Sequence, residues 1–210
     1  MPTTQSATDQ SPVDLLGTPE IPKEGRGRLI GIAVNLFYYH GFNAIGIDRI
    51  IAEAGVSKTT FYKHFQSKTE LMVAAVKWRD EWEFNAWNKA MDLLAGDCPR
   101  RKLRAFFDIL DWWFNHPDFR GCIFIHAATE FPNPNDPVHK AAIAHKQANL
   151  KLIRELAVQA GALEPDAFAD AYATLIEGTL VMRHAYARDD AAKAALPAAD
   201  ALLNQYLPAA

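Results

Sequence analysis

"AGVSKTTFYKHFQSK" runs from Ala54 to Lys68, and its reading decides the fold. On a helix turning about 100° per residue, Phe61 and Phe65 define one inner side. Lys63 then points directly away from them, and Thr59 lies about 40° from Lys63. Thr60 falls on one flank, and Tyr62 and His64 on opposite edges. Ser57 stands at the N-cap position, where a hydroxyl accepts from the first free N–H groups of a helix. A helix this short with so polar an outer face serves something other than a core.

The residues just upstream show how it is held. Ile47, Ile50, Ile51 and Ala54 give an apolar face to a helix of about residues 47–54. Gly55-Val56-Ser57 is then a three-residue turn containing glycine. Two helices joined in this way form a helix-turn-helix, whose second helix enters the DNA major groove. Thr and Lys reach base edges or phosphates, and Tyr62 and His64 are placed for the sugar–phosphate walls. Lys68 adds a charge in the first turn of the next helix, where free backbone N–H groups already favour a phosphate.

Charge supports the same assignment. Residues 23–68 hold seven Lys or Arg against three acids, a local +4. The whole 210-residue chain carries −3, so the remainder sums to −3 − 4 = −7. A basic N-terminal unit on an acidic body points to a local anionic partner. The length suits one domain, or two small ones sharing a long helix. Cys98 and Cys122 are the only cysteines, too few for a disulfide framework, which favours a reducing compartment. No apolar run reaches the roughly 18 residues that span a bilayer. The start of the chain has no basic region followed by an apolar stretch, so a cytoplasmic protein without a membrane partner is expected.

The periodicity is helical from residue 23 onward, with no alternating strand pattern. Residues 1–22, with four prolines and no Lys or Arg, read as a disordered tail. Leu29, Ile32, Ala33, Leu36 and Phe37 predict a first helix over about 24–40, stopped by Gly41. "SKTE", with Ser67 as cap and Glu70 reaching back, opens a long fourth helix to about residue 94. Its stripe of Leu71, Ala75, Trp78 and Trp82 faces nearly opposite to Phe84, Trp87, Met91 and Leu94, as in a connector between two units. Further helices are expected at about 99–115, 120–130, 136–160, 165–188 and 197–207.

"IDRIIAEAGVSKTTFYKHFQSKTEL", preceded by a helix ending "FYYHGF", resembles the DNA-binding domain of the tetracycline-repressor (TetR) family of regulators. The resemblance covers about residues 26–72. It implies an all-α homodimer. An N-terminal three-helix helix-turn-helix domain is joined by the long fourth helix to a helical ligand-binding and dimerisation domain. Carried onto this chain, the family's DNA contacts fall on Lys58, Thr59, Thr60, Tyr62, Lys63, His64 and Lys68. One departure stands out. The family's second helix often begins with Ser or Thr that both caps and touches phosphate, whereas Gly46 stands here. Arg26 and Arg28, at the start of the first helix, are the candidates to supply that charge. The division expected is 1–22 tail, 23–68 DNA-binding domain and 69–210 effector-binding and dimerisation domain.

The body must be read from its own residues. Aromatics are dense from Trp78 to Phe131, mostly as core, but apolar cavities with few polar groups also make small-molecule sites. The candidate effector-lining set is Trp78, Trp82, Asn85, Phe106, Trp113, Phe124, His126, Glu130 and Glu177, with His184 a further polar candidate. A largely apolar effector fits it. His126 and Glu130, four apart, could share a metal, though no third ligand follows from the spacing and none is assigned. Cys122 is either a redox sensor or a small buried hydrophobe. Small and apolar residues in the last two helices, Ala167, Phe168, Ala171, Tyr172, Leu175, Ile176, Leu202, Leu203 and Tyr206, permit close helix contact. The resemblance implies a homodimer interface there.

These features together describe a DNA-binding transcriptional regulator, a repressor released from a palindromic operator by a small effector. No cofactor fingerprint is present, and the chain is not expected to be an enzyme. Two alternatives remain: a ligand-binding helical protein that no longer reads DNA, and a helical enzyme using His126 and Glu130 as an acid–base pair.

Overall fold

The computed structural model describes residues 15–208. Among them are nine helices and no strand: α1 (Gly25–His40), α2 (Ile47–Ala54), α3 (Lys58–His64), α4 (Lys68–Ala95), α5 (Pro99–Phe114), α6 (Ile123–Glu130), α7 (Pro137–Gln159), α8 (Pro165–Ala185) and α9 (Ala191–Tyr206).

Local chemistry sets the boundaries near the helix-turn-helix. Gly55 ends α2 in the left-handed conformation at φ 65°, and its N–H donates to α2 carbonyls. Glycine adopts that conformation without the Cβ clash. The Ser57 hydroxyl accepts from the Thr60 N–H at 3.1 Å and opens α3. At α4 the Ser67 hydroxyl accepts from the Glu70 N–H at 3.1 Å. The Glu70 carboxylate reaches back to the Gln66 N–H at 2.7 Å, one residue further than the usual reciprocal partner.

The helices form two compact units. One contains residues 18–82 and 120–149; the other contains the remaining described residues, 83–119 and 150–208 with 15–17. The boundary divides α4 after Trp82 and α7 after Asn149. Packing units therefore cut the chain differently from the functional division expected at residue 68. α6 and the first part of α7 belong to the same unit as the helix-turn-helix.

In the first unit α1 packs on α2, and α2 on α3. Leu29, Ala33, Phe37, Phe42, Ile45, Ile50, Phe61 and Phe65 are buried. Phe37 stacks on Phe42 at 4.7 Å between centroids. Behind this core the buried His145 of α7 lies flat on Phe124 of α6 at 3.5 Å. The Asn149 amide donates to His145 Nε2 at 2.9 Å. That leaves the Nδ1–H of His145 to donate to Asp80 of α4 at 2.7 Å.

In the second unit α9 packs on both α5 and α8. Tyr172 is fully buried, and its hydroxyl donates to the Leu103 carbonyl at 2.7 Å. Phe107 meets it edge-on at 5.6 Å, and Phe168 stacks on it at 5.0 Å. The Arg183 guanidinium donates to the Phe114 carbonyl at the end of α5, at 2.9 and 3.1 Å.

Three expectations change. The tail expected over 1–22 lies outside the described residues only as far as residue 14. Leu16 is buried, and Ile21 approaches the place of a Cβ on Gly31 to 3.0 Å, so apolar side chains anchor this segment. α9 begins at Ala191 rather than near 197. Pro197 lies inside that helix, although proline there lacks the N–H that the Lys193 carbonyl would accept. α8 stops at Ala185, three residues early. Arg188 and Asp190 pair in the connection to α9, at 2.9 and 3.0 Å.

Candidate nucleic-acid interface

α3 is anchored from below and presents its other side to solvent. Phe61 and Phe65 are buried, with centroids 6.0 Å apart. Lys58, Thr59, Tyr62 and Lys63 are exposed. Tyr62 is 48% exposed, and its ring meets Phe61 edge-on at 5.2 Å. His64 is half-buried. Thr60 is half-buried as well, and its hydroxyl lies 2.9 Å from that of Ser57. The Thr60 side chain is thus shared with the cap rather than wholly presented outward. Lys58 is 3.7 Å from Asp48 of α2, both side chains being largely exposed. An ion pair of that kind restrains little and yields readily to a phosphate.

Two of the expected phosphate contacts, Lys68 and Arg28, are engaged within the fold. Lys68 Nζ donates to the Phe42 carbonyl at 2.6 Å. Partial burial lowers its ammonium pKa from the ordinary value, and the nearby Glu130 carboxylate opposes that shift. Arg28 Nε donates to the Ala54 carbonyl at 2.8 Å, where α2 ends and free carbonyls gather. Arg26 is exposed, with its guanidinium carbon 4.8 Å above the Phe65 ring. Gly46 is the N-cap of α2 and supplies no side-chain hydrogen bond there, as the sequence indicated.

The candidate effector residues divide between the two units. In the first, Trp78, Trp82 and His126 are half-buried, and Phe124 is buried against His145. Glu130 ends α6, and its carboxylate accepts from the backbone N–H groups of Phe42 and Asn43 at 2.8 and 2.7 Å. It is committed to main-chain donors, which corrects its expected use toward a ligand, a metal or proton transfer. In the second unit, Phe106 and Trp113 are buried and meet Trp87 at 5.8 and 6.0 Å. Asn85 is exposed. Glu177 borders an open depression of about 600 Å³ on α8, with Leu150, Ala173, Thr174, Gly178 and Val181. His184 is exposed at the end of α8. Cys122 is buried at 6% exposure, the environment of a small hydrophobe. Among the described residues no group of three His, Cys, Asp or Glu side chains is arranged to hold a metal. No described helix is long and apolar enough to cross a membrane.

A buried-aromatic anchor, a hydroxyl cap and an exposed polar face on the second of two short helices define a helix-turn-helix nucleic-acid-binding protein. Comparison with known proteins narrows the class. Residues 29–75 match the family described as "Bacterial regulatory proteins, tetR family", and residues 99–201 match "Tetracyclin repressor-like, C-terminal domain". A crystal structure of SCO4454, a TetR-family transcriptional regulator from Streptomyces coelicolor, superposes with a TM-score of 0.78 at 31% identity. The match covers 86% of this chain and 95% of that one. The chain belongs to the TetR family of transcriptional regulators.

Two curated relatives share mainly part of the chain. The HTH-type transcriptional activator FasR of Mycolicibacterium smegmatis is 35% identical over 90 residues, 42% of this chain. The uncharacterized HTH-type regulator YerO of Bacillus subtilis is 35% identical over 101 residues, 46% of this chain. The chain spans 41% of the length of FasR and 34% of that of YerO. These relatives are regulators, not enzymes.

Proposed function

We propose that the protein reads a palindromic DNA operator as a homodimer and changes its hold on that site when the helical body binds a small, largely apolar effector. The observation that carries the DNA-reading part is the α3 face. Lys58, Thr59, Tyr62 and Lys63 stand exposed on a helix fixed by buried Phe61 and Phe65. Thr59 and Lys63 are assigned to base edges, and Lys58, Tyr62 and His64 to the backbone walls. Arg26, exposed beside Phe65, is the remaining basic candidate at the N-terminal end.

One seven-residue reading helix touches too little DNA for a specific site by itself. A two-fold pair of such helices reads two half-sites about 34–36 Å apart, or a multiple of that. The interface is assigned to α8 and α9. The open depression on α8 holds Ala173 and Gly178, small residues that let a second helix approach, and the half-exposed Val181, beside Asp170, Thr174 and Glu177. Residues 23–68 are assigned to DNA binding and the rest of the described chain to effector binding and dimerisation. α4, running through both packing units, is the transmitting element. A DNA-bound regulator acts in the cytoplasm. The sign of regulation follows from where the operator lies relative to the promoter; repression is the proposed outcome.

The experiment is fluorescence anisotropy on the DNA flanking the protein's own gene, with wild type and the double variant Lys63→Ala, Tyr62→Ala. Wild type is expected to bind that DNA tightly at physiological salt and the variant to lose most of the preference over unrelated DNA. If both bind alike, and only at low salt, the binding is general phosphate attraction and the specific-reader assignment fails.

A further inference from the structure

The corner between α1 and α2 is gripped by charged groups from two other helices. Glu130, the last residue of α6, accepts from two consecutive backbone N–H groups, Phe42 at 2.8 Å and Asn43 at 2.7 Å. Lys68, the first residue of α4, donates to the carbonyl of the same Phe42 at 2.6 Å. The Phe42 ring is buried, stacked on Phe37 at 4.7 Å and edge-on to Phe131 at 6.1 Å, so the residue after Glu130 also packs on the corner. Gly41 has φ +83°, and a Cβ there would lie 2.9 Å from Glu130 Oε1. The carboxylate therefore sits as close as a glycine backbone allows. Hydrogen bonds to a charged group are shorter and stronger than neutral ones.

We propose that Glu130 is a positioning residue for operator binding, fixing the α1–α2 corner on α6 so that α2 and α3 present the reading face in one orientation. The chain from corner to reader is short. Gly46 caps α2 just beyond Asn43, α2 packs on α3, and α3 carries Lys63 and Tyr62. Losing the carboxylate frees the corner at its outer edge. Asn43 is exposed, so water replaces the bond to its N–H, while the partly buried Phe42 N–H is left poorly paired. Glu130 touches no nucleic acid in this assignment and acts only through the corner. The inference rests on the DNA-reading function proposed above.

The test uses Glu130→Ala and Glu130→Gln in the full-length protein. Glutamine keeps one oxygen to accept one N–H but turns an NH₂ toward the other donor. Operator affinity is expected to fall about tenfold for Glu130→Ala and less for Glu130→Gln. The slope of affinity against salt should not change, because no phosphate contact is removed. Amide hydrogen exchange supplies the site-specific reading. The Asn43 N–H, exposed yet held by Glu130, should exchange at least about tenfold faster in Glu130→Ala while α5, α8 and α9 amides keep their protection. Uniform loss of protection would mean a merely structural role and overturn the proposal. So would unchanged Asn43 exchange, or an opened corner with undiminished affinity. If Glu130→Ala does not fold, Glu130→Gln carries the same readings at smaller amplitude. A wild type with no preference for its own DNA would indict the DNA-reading function instead; Asn43 exchange then still decides whether Glu130 holds the corner.

Discussion

Replacing Gly46 by serine is expected to stabilise the reading unit and tighten its hold on DNA. Gly46 is the N-cap of α2 at φ −85° and ψ 159°, extended backbone that any residue adopts. A Cβ built there meets nothing within 4 Å. Serine thus brings no strain, and its hydroxyl can accept from a first-turn N–H that has no side-chain partner in the structure. Serine over glycine at a cap contributes a few tenths of a kcal/mol in all, the restricted freedom of the unfolded chain included, a rise in Tm of about 1 °C for a chain of this size. On DNA the same hydroxyl, an uncharged donor, offers one hydrogen bond to a phosphate, about 1 kcal/mol or roughly fivefold in affinity, without steepening the salt dependence. Gly46→Ala is the control: it shares the unfolded-chain effect but cannot cap, so serine should exceed it by about 1 kcal/mol. Denaturant unfolding and operator anisotropy on the three proteins make the comparison. Equal stability of Gly46→Ser and Gly46→Ala would refute the vacant cap, and a serine variant no tighter on DNA would refute the placement of this helix end at a phosphate.

Three further outcomes follow from other parts of the molecule. Tyr172→Phe should lose about 1–2 kcal/mol at neutral pH, since the buried Leu103 carbonyl loses its donor. Burial pushes the Tyr172 phenol up from its ordinary 10.0, so the stability it contributes is complete below about pH 10 and is lost as pH rises further. The gap between wild type and variant, read by urea unfolding, should narrow on the alkaline side; a constant gap would contradict it. The Cys98 thiol is held below its ordinary pKa chiefly by the Arg101 backbone N–H, whereas Cys122 is buried. Iodoacetamide should label Cys98 well before Cys122 in peptide mapping, and equal rates would count against that environment. Ser57→Ala removes the partner of the Thr60 N–H and hydroxyl, costing about 1 kcal/mol. Operator affinity should fall with it at unchanged salt slope, and an unaffected affinity would show that the α3 cap does not order the reading face.

Much of the reading unit was legible in local sequence because local chemistry builds it. Helices α2 and α3 fall on the expected residues, Ser57 and Ser67 cap as their spacing indicated, and Glu70 reaches back one residue beyond the cap, to Gln66. Gly46 likewise proved to be a cap without a side chain. What escaped were bonds between residues far apart in the chain. Glu130 lies 88 positions from Phe42, and four-residue spacing on α6 paired it with His126 instead. Lys68 carries a basic signature at a helix start, yet a carbonyl 26 positions away takes its ammonium. Pro197 misplaced the start of α9 because proline usually marks a first turn, and here tertiary packing on α5 and α8 carries the helix through it. The body aromatics were correctly dense, but Phe106, Trp113 and Phe124 are buried against other rings, so periodicity alone did not separate packing from a binding site.

Gly41 and Glu130 constrain each other as a pair. Position 41 refuses a side chain twice, through its φ of +83° and through the carboxylate oxygen 2.9 Å from the place of a Cβ. Shortening residue 130 relieves only the second objection, and the backbone strain of the first persists. In a saturation library selected for operator binding, substitutions at 41 should therefore be far rarer than at the neighbouring exposed Asn43 and Ala44. Survivors at 41 should be rare even with a shortened residue 130, since that change leaves the φ of +83° and gives up the carboxylate that holds the corner. The corner is then a place where the heritable record is written jointly by two residues 89 positions apart in the chain, although a four-residue helix window pairs one of them with His126.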